Sequence, residues 1–326
     1  MDGGRRKRRS MNPAARLAVY GAGLVVAFGG AYGLAGAVVP DSVVAQWNQE
    51  SGQMNEHAGH GGATGETGTA VPSLKGVALS AEGLTLSPVA APRGVGEAGV
   101  LSFRIEDAAG APVAAYTTTH EKDLHLIVVR SDGRDFRHVH PTLDRETGTW
   151  SVPWSWAEAG SYRVYADFAP AVGNAVTLSR TVDVAGTVEP ADPAPTRTAQ
   201  VDGFTVTLDG DLVAGASSPV ELRVTRDGAP VTTLQPYLGA FGHLVALRQG
   251  DLAFLHVHPE GDAPKPGETG GPSISFQVQA PTAGRYLLYL DFQVDGAVRT
   301  ASFVVDAAGA GSAPIATPPA ADHSGH

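Results

Sequence analysis

The sequence predicts an all-β protein: two tandem antiparallel β-sandwiches behind one N-terminal transmembrane helix. Three observations support this prediction. Short runs of alternating apolar and polar residues recur through most of the chain, separated by Gly, Asp and Pro. A segment of about 110 residues, an ordinary domain size, occurs twice. Near the N-terminus, one long uncharged apolar stretch follows a strongly basic segment.

The apolar stretch covers residues 17–39 and follows a basic cytoplasmic segment, residues 1–16. A helix of this length crosses a bilayer core of roughly 30 Å. Clustered Arg and Lys on its N-terminal side stay in the cytoplasm. We therefore expect a signal anchor in the plasma membrane, with residues 40–326 on the outer face. A cleaved signal peptide is the alternative, because Ala35–Ala37 fits a cleavage pattern.

Two segments without hydrophobic periodicity flank the repeated region. Residues 40–72 are polar and Gly-rich and are predicted to form a flexible stalk. Residues 307–326 form an Ala- and Pro-rich tail that is predicted to be disordered. Both segments carry histidines that either gather metal ions weakly or are ordinary polar residues: His57, His60, His323 and His326.

The duplication defines the domains. The stretch DLHLIVVRSDGRDFRHVHP (123–141) matches FGHLVALRQGDLAFLHVHP (241–259) without a gap, at an offset of 118 residues. Downstream, AGSYRVYADF (159–168) matches AGRYLLYLDF (283–292) at an offset of 124. The predicted domains are repeat 1 (73–188), a proline-rich linker (189–195) and repeat 2 (196–306).

Each repeat is predicted to be an immunoglobulin-like antiparallel β-sandwich of about seven strands. The alternating runs that predict strands in repeat 1 are LSFRI, DLHLIVV, FRHVH, YRVYADF and TLSRTVDV, and repeat 2 has counterparts of each.

Composition narrows the functional classes. The net charge is −10, and an acidic protein is a poor partner for nucleic acid. The chain has no cysteine, which excludes disulfides, thiolate metal sites and thiol nucleophiles. The predicted partners are metal ions and, through the N-terminal helix, the membrane. No sequence feature indicates a particular protein partner.

Histidines of neighbouring strands are predicted to converge. His138 and His140 are two residues apart on a predicted strand, so their side chains share a face. The preceding SDGR stretch (131–134) is typical of a hairpin turn, which makes the numbers of paired residues sum to 265. His125 then lies opposite His140 and diagonal to His138. The repeat gives the second copy the same trio: His243, His256 and His258.

Three imidazoles on one patch predict a metal site. Without thiolate ligands, imidazole suits Cu(II) and Zn(II), and we expect one such ion per repeat. Because neutral imidazole is the ligand, affinity is expected to fall below about pH 6.5. In the alternative, the histidines are structural and satisfy their nitrogens with hydrogen bonds to backbone, Asp or Tyr.

Other polar residues near the clusters receive no metal-binding role. His120 has no histidine counterpart in repeat 2 and is left out of the site. Asp167 and Asp291 could accept hydrogen bonds from ligand imidazoles, but a solvated strand aspartate is the favoured interpretation. Arg130 and Arg248 lie at predicted strand ends, where exposed arginine is common.

The segments HLIVVRSDGRDFRHVHP and GHLVALRQGDLAFLHVHP resemble actinobacterial membrane-anchored proteins with repeated His-x-His-Pro sandwich domains. These proteins are similar in style to YtkA-like and CopC-like extracytoplasmic copper-handling modules. The resemblance covers roughly residues 75–306 and the anchor. It implies binding of a heavy metal, copper above all, outside the membrane. This chain departs from CopC-like proteins in lacking an N-terminal histidine and a methionine-rich Cu(I) site.

The sequence therefore favours a non-catalytic protein that buffers or delivers Cu(II) or Zn(II). A tri-His metalloenzyme is the first alternative, because three histidines and a water also form a catalytic zinc site. The sequence contains no His-x-His-x-Asp-His hydrolase motif, so we expect no enzyme activity. The second alternative is an adhesion or interaction module with structural histidines.

Overall fold

The structure is a computed structural model that describes residues 74–255, 257–265 and 267–309. The regular secondary structure of these residues consists of β-strands alone. No helix among them is long and apolar enough to cross a membrane. The predicted anchor (17–39), the cytoplasmic segment and nearly all of the stalk and the tail lie outside the described residues.

Each repeat contributes ten strands to the described part of the chain. Those of repeat 1 are β1 (Ser80–Ala81), β2 (Leu84–Leu86), β3 (Gly99–Glu106), β4 (Tyr116–Thr117), β5 (Leu124–Arg130), β6 (Arg137–Val139), β7 (Thr142–Asp144), β8 (Thr149–Trp154), β9 (Gly160–Pro170) and β10 (Val176–Val184). Those of repeat 2 are β11 (Thr198–Val201), β12 (Phe204–Asp209), β13 (Leu212–Val213), β14 (Ser217–Arg226), β15 (Ala229–Pro230), β16 (His243–Arg248), β17 (Val257–Pro259), β18 (Ser273–Gln279), β19 (Gly284–Val294) and β20 (Ala297–Ala308).

Repeat 1 is built from two antiparallel sheets around one core. One sheet has the order β1-β2-β3-β8-β7 and the other β10-β9-β5-β6, with β4 paired to β9. Alternate residues of β3 are buried, as expected for a strand with one face on the core. Residues of both sheets meet in the core, among them Leu101, Leu126, Val164 and Leu178.

Repeat 2 repeats this plan with small changes. Its sheets have the orders β11-β12-β14-β18-β17, with β15 paired to β14, and β13-β20-β19-β16. The short β13 pairs with β20 in parallel, and the other described pairs of repeat 2 are antiparallel. Aromatic residues of both sheets fill a separate core: Phe204, Phe276, Phe292 and Phe303.

A third apolar cluster joins the two repeats. It contains Ile127 and Tyr165 of repeat 1 and Leu247, Leu287 and Tyr289 of repeat 2. All seven residues of β5 are buried, because one face packs on the core of repeat 1 and the other on repeat 2. Both faces of such a strand must be apolar, which explains its near-continuous hydrophobic run.

Two reciprocal contacts hold this boundary. The Tyr165 hydroxyl donates a hydrogen bond to the Leu252 carbonyl, and the Tyr289 hydroxyl donates one to the Gly133 carbonyl, both at 2.6 Å. Each tyrosine thus contacts the hairpin turn of the other repeat. Gly133 has φ +87°, and a Cβ there would lie 2.7 Å from a Leu287 methyl group. Only glycine fits this close approach without strain.

The two His-Val-His-Pro strands pair differently. In repeat 1, β6 pairs with β5 in the predicted register, with Ile127 opposite His138. In repeat 2, Leu255 still donates to the Ala246 carbonyl of β16, but β17 pairs with β18 of the other sheet, and His258 lies opposite Gln277. The expectation that both copies share one strand arrangement is therefore wrong.

Candidate metal centre

Three histidines of repeat 1 converge at the end of the β5–β6 hairpin. His125 Nδ1 lies 3.1 Å from His138 Nε2 and 3.2 Å from His140 Nε2. One nitrogen from each ring can be chosen so that all three lie within 4.8 Å of one another. Two nitrogens that bind one tetrahedral ion at 2.0–2.1 Å lie about 3.3 Å apart. The spacing around His125 Nδ1 is therefore that of ligands around a common ion.

A hydrogen bond fixes the position of the proton on the His125 ring, and a second one does so on the His138 ring when Asp291 is ionised. His125 Nε2 lies 3.1 Å from the Thr119 carbonyl, which only accepts, so Nε2 carries the hydrogen and Nδ1 presents a lone pair. His138 Nδ1 lies 2.8 Å from the Asp291 carboxylate, and donation to it leaves a lone pair on His138 Nε2. Two lone pairs then face each other at 3.1 Å. They repel unless a cation lies between them.

A proton is a poor candidate for this cation at neutral pH. Burial lowers the pKa of His138 to about 3 and that of His140 to about 3, and it lowers the pKa of His125 as well. The His138 and His140 imidazoles therefore stay neutral well below the pH of 6.5 expected from unperturbed imidazole. Competition between protons and a metal ion is therefore shifted to more acidic pH.

Asp291 offers a metal-free arrangement of the same groups. Burial raises its pKa to about 7, although the Thr300 hydroxyl, which donates to it at 2.6 Å, opposes the shift. Below that pH a protonated Asp291 can donate to His138 Nδ1. His138 Nε2 then carries the hydrogen and donates to His125 Nδ1. This arrangement and metal binding at His138 Nε2 exclude each other.

Repeat 2 completes the surroundings of the trio. His243 lies on β16 with its ring stacked on His125, the centroids 5.7 Å apart, and 4.8 Å from the His138 ring. Burial lowers the pKa of His243 well below its usual value. Asp291 is its partner across the β16–β19 pair. The candidate centre therefore lies at the boundary between the repeats.

The shared boundary follows from strand alternation. On β5, Leu126 and Val128 face the core of repeat 1, whereas Ile127 and Val129 belong to the cluster between the repeats. His125 lies on this second face, because residues two apart along a strand point the same way. The same alternation puts His243 on the boundary face of β16, which carries Val245 and Leu247, and Asp291 on that of β19, which carries Leu287 and Tyr289.

The second predicted trio is not reproduced in the described residues. His243 lies against the first trio, and His258 lies on the exposed part of β17. His256 is outside the described residues. Among the described residues, one group of histidine or acidic side chains has metal-binding geometry: His125, His138 and His140. A second ion stays a prediction.

The comparisons with known proteins address the repeats. A family model with the description "Domain of unknown function (DUF8832)" matches residues 80–186 and 199–309. The chain belongs to this family. The two DUF8832 domains coincide closely with repeat 1 and repeat 2, so the internal duplication is confirmed. No curated protein matches the chain.

Solved structures give distant likenesses. The adhesin InvE of Yersinia pseudotuberculosis is 14% identical with a TM-score of 0.21, over 70% of this chain and 60% of that one. The BSP domain of a biofilm associated protein is 14% identical with a TM-score of 0.20, over 70% and 30%. A Salmonella alpha-2-macroglobulin reacted with methylamine is 14% identical with a TM-score of 0.23, over 73% and 15%. The aligned region spans less than two thirds of each of these proteins.

Two residues that the sequence analysis left out of the site lie next to its histidines. Asp291 is 2% exposed and contacts His138, so the interpretation as a solvated aspartate is wrong. His120 lies beside the His125 and His243 rings. The signal for Asp291 was its place on the strand face opposite the core. Its counterpart Asp167 is partly buried and accepts a hydrogen bond from Thr177 at 2.6 Å.

The two strand-end arginines are structural. Arg130 is 2% exposed, and its guanidinium contacts Asp132 at 2.8 Å and Glu158. The expectation that it is exposed is wrong. Arg248 is partly buried and contacts Asp251 at 3.0 Å. Both arginines fix the turn that follows their strand in the two DUF8832 domains.

Proposed function

We propose that this DUF8832 protein is a membrane-anchored extracytoplasmic protein that binds Cu(II) or Zn(II) at His125, His138 and His140. It buffers or delivers the ion rather than catalysing a reaction. One observation carries the proposal: three imidazole nitrogens converge at the end of one hairpin, and His125 Nδ1 lies 3.1 and 3.2 Å from the other two. When Asp291 is ionised, a divalent cation can bind the lone pairs of these nitrogens, and burial opposes a proton there.

The surroundings support such a site. A ligand imidazole commonly donates its second N–H to a carboxylate or a backbone carbonyl, which fixes the ring and raises its basicity. Asp291 would do this for His138, and the Thr119 carbonyl for His125. Three nitrogen ligands leave a fourth position for water or for a ligand of an acceptor protein. An exchangeable fourth position suits buffering or delivery.

The proposed scaffold is an immunoglobulin-like β-sandwich in each domain. Two mainly antiparallel sheets share one apolar core in each repeat. In repeat 1, the buried Tyr162 donates to the Glu158 carbonyl at 2.8 Å, and in repeat 2 Tyr286 donates to the Thr282 carbonyl at 2.7 Å. A tyrosine near the start of a strand that bonds to backbone a few residues upstream is typical of this kind of sandwich.

Calorimetric titration of the untagged protein with Cu(II) or Zn(II) tests the function. We expect one tightly bound ion at the repeat 1 trio, and elemental analysis should find metal in protein purified without added ions. A second ion at the repeat 2 histidines is the accompanying prediction. Absence of both retained metal and binding heat would show that the histidines are structural, as in the adhesion or interaction alternative. Metal-dependent turnover of a substrate would favour the metalloenzyme alternative.

The membrane anchor is part of the proposal and rests on residues 17–39. We expect the full chain to stay with the membrane after a carbonate wash, because an apolar helix of this length spans the bilayer. Protease added to intact protoplasts should digest the DUF8832 domains, which are expected outside. Recovery of a soluble mature form that begins near Val38 would contradict the anchor.

A further inference from the structure

A fifth histidine, His120, lies beside two of the histidine rings at the candidate centre. Its side chain is exposed, and its ring centroid lies 6.1 Å from that of His125 and 5.8 Å from that of His243. The trio itself is partly or fully buried. His120 is therefore a solvent-exposed imidazole next to buried ones.

His120 is held in place by a tight two-residue turn. Thr119 and Lys122 exchange backbone hydrogen bonds of 2.9 and 3.1 Å, and both central residues have positive φ: His120 at +49° and Glu121 at +66°. Such turns favour Asn and Gly, and other residues adopt this backbone at a cost of roughly 1–2 kcal/mol each. Asp123 braces the base of the turn by accepting a hydrogen bond from Thr118 at 2.7 Å.

A comparison with repeat 2 separates the turn, which both repeats share, from the histidine, which only repeat 1 has. Its equivalent turn runs between Tyr237 and Ala240, with Leu238 at φ +57° and Gly239 at φ +82°. Leu238 is buried, whereas His120 is exposed. The shape of the turn is therefore common to both repeats. Only repeat 1 uses the positive-φ position to present an imidazole at the candidate centre.

The turn also connects His120 to the buried trio. The carbonyl of Thr119, the residue before His120, accepts the hydrogen bond from His125 Nε2. The same short segment thus orients an inner ligand and displays an outer imidazole. Tyr237, in the equivalent turn of repeat 2, has its ring centroid 6.5 Å from that of the partly buried His140.

We propose that His120 is an additional metal-binding residue, the outer ligand that captures a hydrated ion and passes it to the trio. The inference rests on the proposed function. A divalent ion must exchange its water ligands before it enters a buried site. A donor that holds the ion next to the trio makes this exchange local and raises the effective concentration of the ion there. His120 then leaves the ion once the inner nitrogens have bound it.

The test compares uptake kinetics in two variants of the same turn. His120→Asn removes the imidazole but tolerates positive φ, and Glu121→Asn is the matched control at the neighbouring position. Stopped-flow mixing with a Zn(II) complex of a chromogenic chelator reports the transfer of the ion. We expect His120→Asn to slow uptake about tenfold or more, with equilibrium affinity within about threefold of wild type, and Glu121→Asn to match wild type.

The outcomes separate this inference from the proposed function. Unchanged uptake in His120→Asn, with Zn(II) still bound, overturns the role of His120 alone. Faster release with unchanged uptake also overturns it, because His120 would then be a permanent ligand. If the wild-type protein takes up no Zn(II), both proposals fall. His120→Leu introduces the residue that repeat 2 has at this position, and it should behave like His120→Asn. Agreement between the two variants shows that the slower uptake is not a folding defect of one of them.

Discussion

Replacing His138 and His140 together by alanine is expected to abolish tight binding of one Cu(II) or Zn(II) ion. Structural zinc binding is worth about 10–16 kcal/mol over about four ligands, so each lost ligand costs roughly 3 kcal/mol, or about a hundredfold in affinity. The double variant should therefore bind about four orders of magnitude more weakly. Competition titration against a chelator of known affinity measures this change.

His258→Ala is the matched control for this experiment. His258 is the counterpart of His140 at the offset of 118, but it lies on β17, which pairs with β18. The affinity of the repeat 1 site should be unchanged in this variant. Because His138→Ala leaves the buried Asp291 without its imidazole partner, thermal unfolding should be followed in parallel, and His140→Ala alone serves as the gentler variant. Unchanged stoichiometry and affinity in the double variant would mean that the cluster is structural.

The local part of the site was predictable because short-range rules determine it. The observed pairing of Ile127 with His138 is the predicted register. The turn itself differs from the predicted one, because Arg130 rather than Ser131 pairs with Arg134, and Asp135 with φ +48° follows before the strand register is resumed. This register brings His125 to His138 and His140. No contact between distant parts of the chain was needed to place these three rings.

The contacts between the repeats could not be derived in the same way. Asp291 contacts His138 across 153 residues of sequence, and that contact exists only because the boundary faces of β5 and β19 pack together. Alternation showed that Asp291 faces away from its own core, but both solvent and a second domain were compatible with that pattern. The pairing of β17 with β18 likewise depends on tertiary contacts. The sequence around β17 matches repeat 1 without a gap and therefore gives no sign of the different pairing.

A charge in the apolar cluster between the repeats is expected to separate them and to weaken metal binding. Leu247 on β16 is 0% exposed and belongs to that cluster rather than to the core of repeat 2. Leu247→Asp would bury an unpaired carboxylate, at a cost of about 3–5 kcal/mol if the boundary stayed closed. Opening the boundary lets the carboxylate reach water, while each repeat keeps its own core.

The unfolding and the metal affinity of Leu247→Asp test this expectation. Circular dichroism should retain the β signal, and thermal unfolding should change from one coupled transition to two. Affinity for Cu(II) or Zn(II) should fall about 10–100-fold, the usual effect of losing a residue that orients a ligand, because Asp291 leaves His138. Val298→Asp, at a position of repeat 2 that is 44% exposed, is the control and should change neither property.

The isolated repeats are expected to fold separately and to bind metal more weakly than the full chain. Residues 73–188 include all buried members of the first apolar core, and residues 196–306 include all of those of the second except Ala307, so both fragments should fold, as the duplication alone predicts. The first fragment keeps His125, His138 and His140 but lacks Asp291 and His243, and it should bind metal as weakly as Leu247→Asp. Adding the second fragment should restore affinity if the two boundary faces reassociate. Binding by residues 73–188 that is as tight as in the full chain would contradict a role for repeat 2, because the trio would then be sufficient without the Asp291 carboxylate that contacts His138.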